Sequence, residues 1–210
     1  MSRRFLLTAL RLFFAVLAGT AIARQLQIHV QMGFSPVNFF SYFTNLSNAF
    51  AVGVLLFSAW WPATAPANTT FSDRLRGTSV VNMAVVGIVF AALLRNVDLG
   101  SLLPWVNFVL HYVMPCVVVL DWLLQAPATR LGTRQLLLVQ VFPMLYLGYV
   151  LVRGSSTGWY PYPFLNPANV DGYGGVGAYA LGIALTFLLA GWVLFALGNK
   201  LGKSADTAAS

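Results

Sequence analysis

Two groups of polar side chains interrupt an otherwise apolar sequence of 210 residues. In the first, hydrogen-bonding residues fill much of positions 38–48, where Thr44 and Asn48 form an i, i+4 pair on one helical face. The second surrounds His111, and Asn107 lies one turn before it. A hydroxyl and an imidazole are the minimum apparatus for nucleophilic acyl transfer, because the imidazole takes the proton as the hydroxyl attacks and returns it to the leaving group. Thr44 and His111 are therefore candidates for a nucleophile and its general base.

The composition shows what kind of protein carries these groups. Only 8% of the residues are charged, with twelve Lys and Arg against five Asp and no Glu, whereas ~25% is usual for a soluble domain. So few charges would not cover the surface of a water-soluble protein of this size, and the bilayer must be the solvent. With two His and one Cys, the chain offers little material for a metal site, and we expect neither a metal nor another cofactor.

Apolar runs that are long enough to cross a bilayer as helices, roughly 20 residues each, occur six times. They lie at about 5–28, 39–61, 77–95, 104–124, 135–153 and 174–198. We therefore predict an all-α polytopic membrane protein with six transmembrane helices, here called spans 1 to 6. They form a single domain over residues 1–202, and the small, polar residues 203–210 are expected to be a disordered tail.

The basic residues orient this bundle, because cytoplasmic loops carry an excess of Lys and Arg. With both termini in the cytoplasm, most basic residues lie at the inner side: Arg3, Arg4, Arg11, Arg74, Arg76, Arg130, Arg134, Lys200 and Lys203. Only Arg24, Arg95 and Arg153 lie at the outer side. Topology thus accounts for the net charge of +7, and no nucleic-acid partner is indicated. The expected partners are membrane lipids with anionic headgroups.

This orientation places the two catalytic candidates at one depth. Spans 2 and 4 both run inward from the outer side, so at about 1.5 Å per residue Thr44 lies roughly 8 Å and His111 roughly 10 Å below their outer ends. Pro115 has no N–H to give to the carbonyl four residues earlier, that of His111, so we expect a kink and an open carbonyl beside the imidazole. The dyad requires spans 2 and 4 to be neighbours.

The polar residues around the dyad have two interpretations. Side-chain donors that could stabilise an oxyanion stand at Asn45, Ser47, Asn48 and Asn107. Alternatively, small polar residues form seams between membrane helices. In that case this group only ties helices together, and His111 is a buried side chain bonded to a neighbouring helix.

Two further features belong to the outer side. Arg24, Arg95 and Arg153 end spans 1, 3 and 5 there. They either reach the lipid headgroups or bind a carboxylate or phosphate of an amphiphilic substrate. The loop at 159–167, Trp-Tyr-Pro-Tyr-Pro-Phe-Leu-Asn-Pro, suits an aromatic belt at the membrane interface, and its paired prolines also make it stiff enough to cap a pocket.

Asp121 is a tempting third member of a catalytic triad. It lies ten residues after His111, roughly 15 Å along the helix axis, which is too far to hold the imidazole. We expect it at the inner interface or paired with Arg130 or Arg134. Thr44 and His111 then act as a dyad.

The order of the motifs along six spans resembles the androgen-induced-gene family, and more closely its bacterial branch. The matching segments are 42–48 at the start of span 2, 111–115 in span 4 and 159–165 before span 6. The resemblance implies a threonine hydrolase that cleaves fatty acid esters of hydroxy fatty acids, with a Thr nucleophile on an early helix and a His on a later one. Carried over, these roles fall on Thr44 and His111, and the location is the cytoplasmic membrane of a bacterium.

The leading functional prediction is an integral-membrane lipid ester hydrolase, with an apolar channel between the helices that accepts an acyl-chain substrate sideways from the lipid. The alternative is a non-enzymatic lipid-binding or small transport protein that uses the same cavity. A third class, a haem-binding electron carrier, would use His29 and His111 as axial ligands. His29 lies at the end of span 1 and His111 about two turns deep, so this pair is poorly matched.

Overall fold

The protein is built from helices and connecting loops. The computed structural model describes residues 3–60, 69–97 and 102–209, except for the side chains of Thr69 and 203–209, and no strand occurs among them. The α-helices are α1 (Arg3–Gln31), α2 (Pro36–Phe40), α3 (Phe43–Trp60), α4 (Thr69–Val89), α5 (Pro104–Phe108), α6 (Met114–Leu124), α7 (Thr133–Thr157) and α8 (Gly172–Ala209). A π-helical turn at Phe90–Leu94 extends α4, and a second at Val109–Val113 joins α5 to α6.

Within the described ranges, six helical stretches are long and apolar enough to cross a membrane: Arg3–Gln31, Phe43–Trp60, Thr70–Leu94, Pro104–Leu124, Thr133–Thr157 and Gly172–Gly202. The prediction of an all-α integral membrane protein with six spans is thereby confirmed. Following the predicted orientation, the end that carries Arg24, Arg95 and Arg153 is called the outer end. Residues 158–171, between α7 and α8, are called the cap loop. The disordered tail at 203–210 stays a prediction.

The second span differs from its predicted form, because a separate short helix precedes it. Ser35 caps α2, its hydroxyl accepting from the Val37 N–H at 3.2 Å, and Pro36 occupies the first helical position. The chain then turns at Ser41, and α3 starts at Phe43. The polar segment therefore wraps around the outer end instead of continuing as one straight helix.

Small residues bring α1 and α3 together, since Ala15, Ala18 and Ala21 on α1 and Ala51 on α3 are all fully buried. Arg11 lies one turn before Ala15 on the same face, which directs its guanidinium into the bundle. At the centre of the bundle, α4 contacts α3, α6 and α8. Helix α7 packs mainly against α8.

A buried ion cluster closes the inner end. Arg11 Nε lies 2.6 Å from Asp121 Oδ1, and Arg76 Nη2 lies 3.2 Å from Asp121 Oδ2. Asp121 thus lies at the inner end, which is one of the two expectations for it, and its partners are Arg11 and Arg76, so the alternative pairing with Arg130 or Arg134 is wrong. The sequence did not reveal this because Arg11 interrupts an apolar run without showing which face it occupies.

The third span begins at Thr69 rather than near 77. Charged residues end an apolar run, but Asp73 and Arg76 in the first turns of α4 are buried and have partners inside the protein. Asp73 Oδ2, for example, accepts from the backbone N–H of Thr129 at 2.8 Å and from its hydroxyl at 2.9 Å. The helix therefore extends beyond the purely apolar stretch.

Candidate functional site

A chamber of about 550 Å³ lies at the outer end of the bundle, under the cap loop. Its wall includes residues of α1, the start of α3, both π-helical turns and the cap loop. Thr44 and His111 both line it. The structure thus brings the two predicted catalytic residues to one space.

Thr44 lies in the first turn of α3, and its side chain is almost fully buried. Its backbone N–H donates to the phenol oxygen of Tyr162 at 3.3 Å, and its hydroxyl lies 3.5 Å from the same oxygen. The first N–H groups of a helix have no partner within the helix, so Tyr162 caps α3 at the candidate nucleophile. Burial raises the pKa of Tyr162, and the phenol therefore stays protonated.

His111 lies in the π-helical turn Val109–Val113, and its ring is buried. Its Nδ1 lies 3.2 Å from the carbonyl oxygen of Asn107. A carbonyl oxygen can only accept, so this bond places the proton of a neutral ring on Nδ1 and leaves the lone pair on Nε2. The ring stacks on Phe90 of the other π-helical turn, with centroids 4.0 Å apart. Such turns are frequent at functional sites.

Asn48 joins spans 2 and 4 at the level of the dyad. Its Nδ2 donates to the carbonyl oxygen of Thr44 at 3.0 Å and to that of Leu110 at 3.2 Å. One amide thus contacts the backbone of the candidate nucleophile and that of the residue before His111. Spans 2 and 4 are neighbours, as the dyad requires.

The proline of span 4 explains why a carbonyl is open to this amide. The Met114 N–H bonds to the carbonyl of Val109, five residues earlier. In that register the donor to Leu110 would be residue 115, a proline without an N–H. The carbonyl that accepts an outside donor is therefore that of Leu110, one residue before the predicted His111.

Thr44 and His111 are not directly bonded. Among the described side chains, the polar contact of the Thr44 hydroxyl is with Tyr162, while the His111 ring bonds to the Asn107 carbonyl. A proton transfer between hydroxyl and ring needs a bridging water or a rotation of the threonine side chain. Catalytic hydrogen bonds are often long without substrate and tighten when it binds.

The four predicted oxyanion donors fall in different places. Asn45 lines the chamber, and its Nδ2 donates to the carbonyl of Phe39 at 2.8 Å. Ser47, Asn48 and Asn107 do not line it. In the described part of the chain, Ser47 Oγ, Asn48 Oδ1 and Asn107 Oδ1 are buried without a hydrogen-bond partner. Asn48 is bonded across the seam between spans 2 and 4, and Asn45 is the one of the four that lines the chamber.

The three outer arginines also differ in their surroundings. Arg153 Nη2 donates to Asn38 Oδ1 at 2.5 Å, and its guanidinium lies over the ring of Trp159, 4.9 Å from the centroid. Asn38 and Trp159 both line the chamber, so Arg153 contacts its rim. Arg24 is bonded to a glutamine of its own helix, and Arg95 is exposed at the end of a π-helical turn.

Tyr162 is a site residue that the sequence pattern does not indicate. The loop at 159–167 is expected as either an aromatic belt or a cap, and its residues line the chamber as a cap. The chain can turn back because Gly158 ends α7 with φ 72°. Gly154 leaves room for the ring of Tyr160, with which a Cβ at 154 would collide. Such long-range packing has no local sequence signal.

A second, smaller cavity of about 90 Å³ adjoins the chamber. Its walls are mostly apolar side chains of α3, α4, α7, α8 and the cap loop. Thr44, Leu94 and Tyr162 line both cavities. The candidate nucleophile therefore stands at the boundary between a polar space and an apolar one.

The comparison with protein families identifies a match along nearly the whole chain. The model of the FAR-17a/AIG1-like protein family matches residues 4–199, which include all of the chamber. The chain belongs to the FAR-17a/AIG1-like family. The resemblance to the androgen-induced-gene family is thereby confirmed. No curated protein sequence and no solved structure matches this FAR-17a/AIG1-like protein.

The haem hypothesis for this FAR-17a/AIG1-like protein depends on the surroundings of its two histidines. Within the described ranges, no three His, Cys, Asp or Glu side chains come together. His29 does line the chamber. However, its Nε2 lies 3.1 Å from the carbonyl of Ser35, and its ring packs against Phe34 and Phe39. Of the two ring nitrogens of His29, Nδ1 would be the one left to bind a haem iron.

Proposed function

We propose that this FAR-17a/AIG1-like protein is an integral-membrane lipid ester hydrolase in which Thr44 is the nucleophile and His111 the general base. The observation that carries the proposal is that a buried hydroxyl and a buried imidazole, from spans far apart in the chain, line one chamber. The amide of Asn48 holds their helices at the same level. Family membership adds support, since the androgen-induced-gene resemblance implies the same two roles.

Hydrolysis runs through an acyl-threonine. Thr44 Oγ1 attacks the ester carbonyl carbon while His111 Nε2 takes the hydroxyl proton. The bond between that carbon and the alcohol oxygen then breaks, and the imidazolium gives its proton to the alcohol. A water molecule, activated by the same imidazole, attacks the acyl-threonine and releases the fatty acid and the free hydroxyl.

The negative oxygen of each tetrahedral intermediate needs a hydrogen-bond donor. The phenol oxygen of Tyr162 accepts the Thr44 N–H and lies 3.5 Å from the Thr44 hydroxyl, so its own hydrogen can turn to the oxyanion once that hydroxyl has reacted. Because burial raises the pKa of Tyr162, the phenol is a neutral donor throughout the physiological range. Asn45 on the chamber wall is the second candidate donor.

The proposed substrates are fatty acid esters of hydroxy fatty acids, the class that the family resemblance implies. Such a substrate brings an acyl chain and a free carboxylate, and Arg153 at the chamber rim is placed to attract the carboxylate. Arg24 and Arg95 are left to the lipid headgroups. The proposed location is the cytoplasmic membrane of a bacterium, with membrane lipids as partners and no cofactor.

The proposal is tested with purified variants in detergent or vesicles. Thr44→Ala and His111→Ala should each lower ester cleavage by at least about 100-fold, while Thr44→Ser keeps measurable turnover because it retains a hydroxyl. Thr186→Ala is the matched control, since that hydroxyl bonds to the Gly182 carbonyl within α8. Thermal unfolding confirms that each variant is folded. Wild-type turnover by Thr44→Ala would refute the proposal.

One observation favours a second candidate, a non-enzymatic lipid-binding or small transport protein. The hydroxyl of Thr44 contacts Tyr162 rather than His111, which would suit a group that orients a ligand without reacting. A fluorophosphonate probe separates the two candidates. Labelling that is lost in Thr44→Ala indicates an activated hydroxyl, and bound lipid without labelling supports the binder.

A further inference from the structure

We infer that the ester is divided between the two cavities that meet at Thr44. The first part of the acyl chain lies in the apolar cavity and its remainder extends through the opening of that cavity toward the lipid, while the alcohol part, which carries a polar or anionic group, lies in the chamber. This inference rests on the proposed function and deepens it, because it assigns a site to the acyl chain and a separate site to the alcohol part.

The apolar cavity is built to receive hydrocarbon. Val86 and Val89 of α4, Leu147 of α7, and Ile183 and Phe187 of α8 form much of its wall. A polar alcohol placed there would lose its hydrogen bonds to water without finding new partners. An acyl chain has no hydrogen bonds to water to lose. With the chain in this cavity, the ester carbonyl at its head reaches the boundary where Thr44 and Tyr162 stand.

The same cavity reaches the surface that faces the lipid. Met144 of α7 lines it and is 57% exposed. On the opposite side of the opening, α8 contributes the small side chains of Ala180 and Ala184. Pro143 lies inside α7 at this level, where a proline removes a backbone hydrogen bond and bends a helix. An acyl chain can therefore enter between α7 and α8 without crossing the polar chamber.

The chamber, in contrast to the apolar cavity, has many polar side chains in its wall. Amide side chains line it from three directions: Gln25 on α1, Asn38 and Asn45 near the start of α3, and Asn166 and Asn169 in the cap loop. A purely hydrocarbon group would displace water from these amides without replacing its hydrogen bonds. A hydroxyl, amide or carboxylate on the alcohol part would replace them. The guanidinium at the rim adds an attraction for an anion.

The division also gives each reactant a route. After Thr44 attacks, the alcohol takes its proton from His111 and leaves into the chamber, where the water for the second step also resides. The fatty acid then leaves through the opening between α7 and α8 into the bilayer. Neither product has to pass the other.

The acyl-chain site is tested by filling it. Ala184→Phe, with Ala180→Phe as a second variant, places a ring in the cavity, and Ala178→Phe on the exposed face of α8 is the matched control. We measure kcat/KM for butyrate, octanoate and palmitate esters of one alcohol. Because each methylene is worth about fourfold in binding, either cavity variant should lower kcat/KM for palmitate by at least about tenfold and spare butyrate. An equal loss at every chain length, or no loss, would overturn the site.

A second measurement separates this inference from the hydrolase proposal. Thr44→Ala protein is irradiated with a glycerol ester of palmitate that carries a diazirine at the chain end, and the crosslinked peptides are identified. Crosslinks to α7 or α8 residues of the apolar cavity, reduced by Ala184→Phe but not by Ala178→Phe, support the acyl site even if no variant hydrolyses esters. Crosslinks confined to the chamber, or none, would overturn it even if hydrolysis is observed.

Discussion

The placement of the cap loop depends on one glycine of α7, and this makes a sharp prediction. A methyl group at Gly154 would come closer than 3.0 Å to three ring atoms of Tyr160, a separation that Cβ atoms essentially never show. The ring must therefore move by about 1 Å or more. Tyr162 follows two residues later, and its hydroxyl contacts Thr44 at 3.3 Å and 3.5 Å. We expect the loop to pass this shift on to Tyr162, which would lengthen both contacts beyond hydrogen-bond distance.

The expected consequence of Gly154→Ala is a large loss of catalysis with a modest loss of stability. A displacement of about 1 Å at a catalytic group costs on the order of 100-fold in rate. Overpacking of the contact costs about 1–3 kcal/mol in the free energy of unfolding. We therefore expect kcat/KM for a lipid ester to fall about 100-fold in a protein that still unfolds cooperatively.

The assay compares Gly154→Ala with Gly148→Ala on the same helix, where an added Cβ meets nothing within 4 Å. Gly148→Ala should keep wild-type activity. Adding Tyr160→Ala to Gly154→Ala removes the ring that causes the clash and should recover much of the lost activity. Wild-type kcat/KM in Gly154→Ala, or no recovery in the double variant, would refute the proposed link between the cap loop and Thr44.

Three further predictions follow from other contacts. Tyr162→Phe should lower kcat about 100-fold with little change in KM, because it removes one oxyanion donor; steady-state kinetics would show an unchanged kcat if the phenol has no such role. Asp121→Ala leaves the buried charges of Arg11 and Arg76 without their shared carboxylate and should lower the free energy of unfolding by about 3–5 kcal/mol; denaturation curves that overlay with wild type would argue against the ion cluster. Asn48→Ala leaves a carbonyl of span 4 without its side-chain donor and should cost about 1–3 kcal/mol, whereas a stability equal to wild type would mean that the seam is not held by this amide.

The six spans and the level of the dyad could be predicted because they depend on local rules. Apolar runs mark helices that cross a membrane, and the fixed rise of a helix converts residue counts into depth. Counting inward from the outer ends placed Thr44 and His111 at one level. The structure has Asn48, one turn after Thr44, bonded to Leu110, directly before His111.

The remaining features depend on packing between distant parts of the chain. Tyr162 reaches Thr44 only because the cap loop folds back over α7, and no helical period encodes that approach. The π-helical register at Val109–Val113 moves the open carbonyl from His111 to Leu110, and counting four residues back from a proline does not anticipate it. The partners of Asp121 depend on the rotation of α1 about its own axis, which turns Arg11 into the bundle. From the sequence alone, a charge at that position would be expected at the surface.

The central claim, that Thr44 is an activated nucleophile served by His111, is tested most directly by locating the covalent adduct. Wild-type protein, Thr44→Ala and His111→Ala are treated with a long-chain fluorophosphonate, and the modified residue is identified by tandem mass spectrometry. The account predicts one adduct on Thr44 in the wild type, none in Thr44→Ala, and labelling at least about 100-fold slower in His111→Ala. An adduct at another residue, or labelling of Thr44 at the same rate without His111, would contradict it.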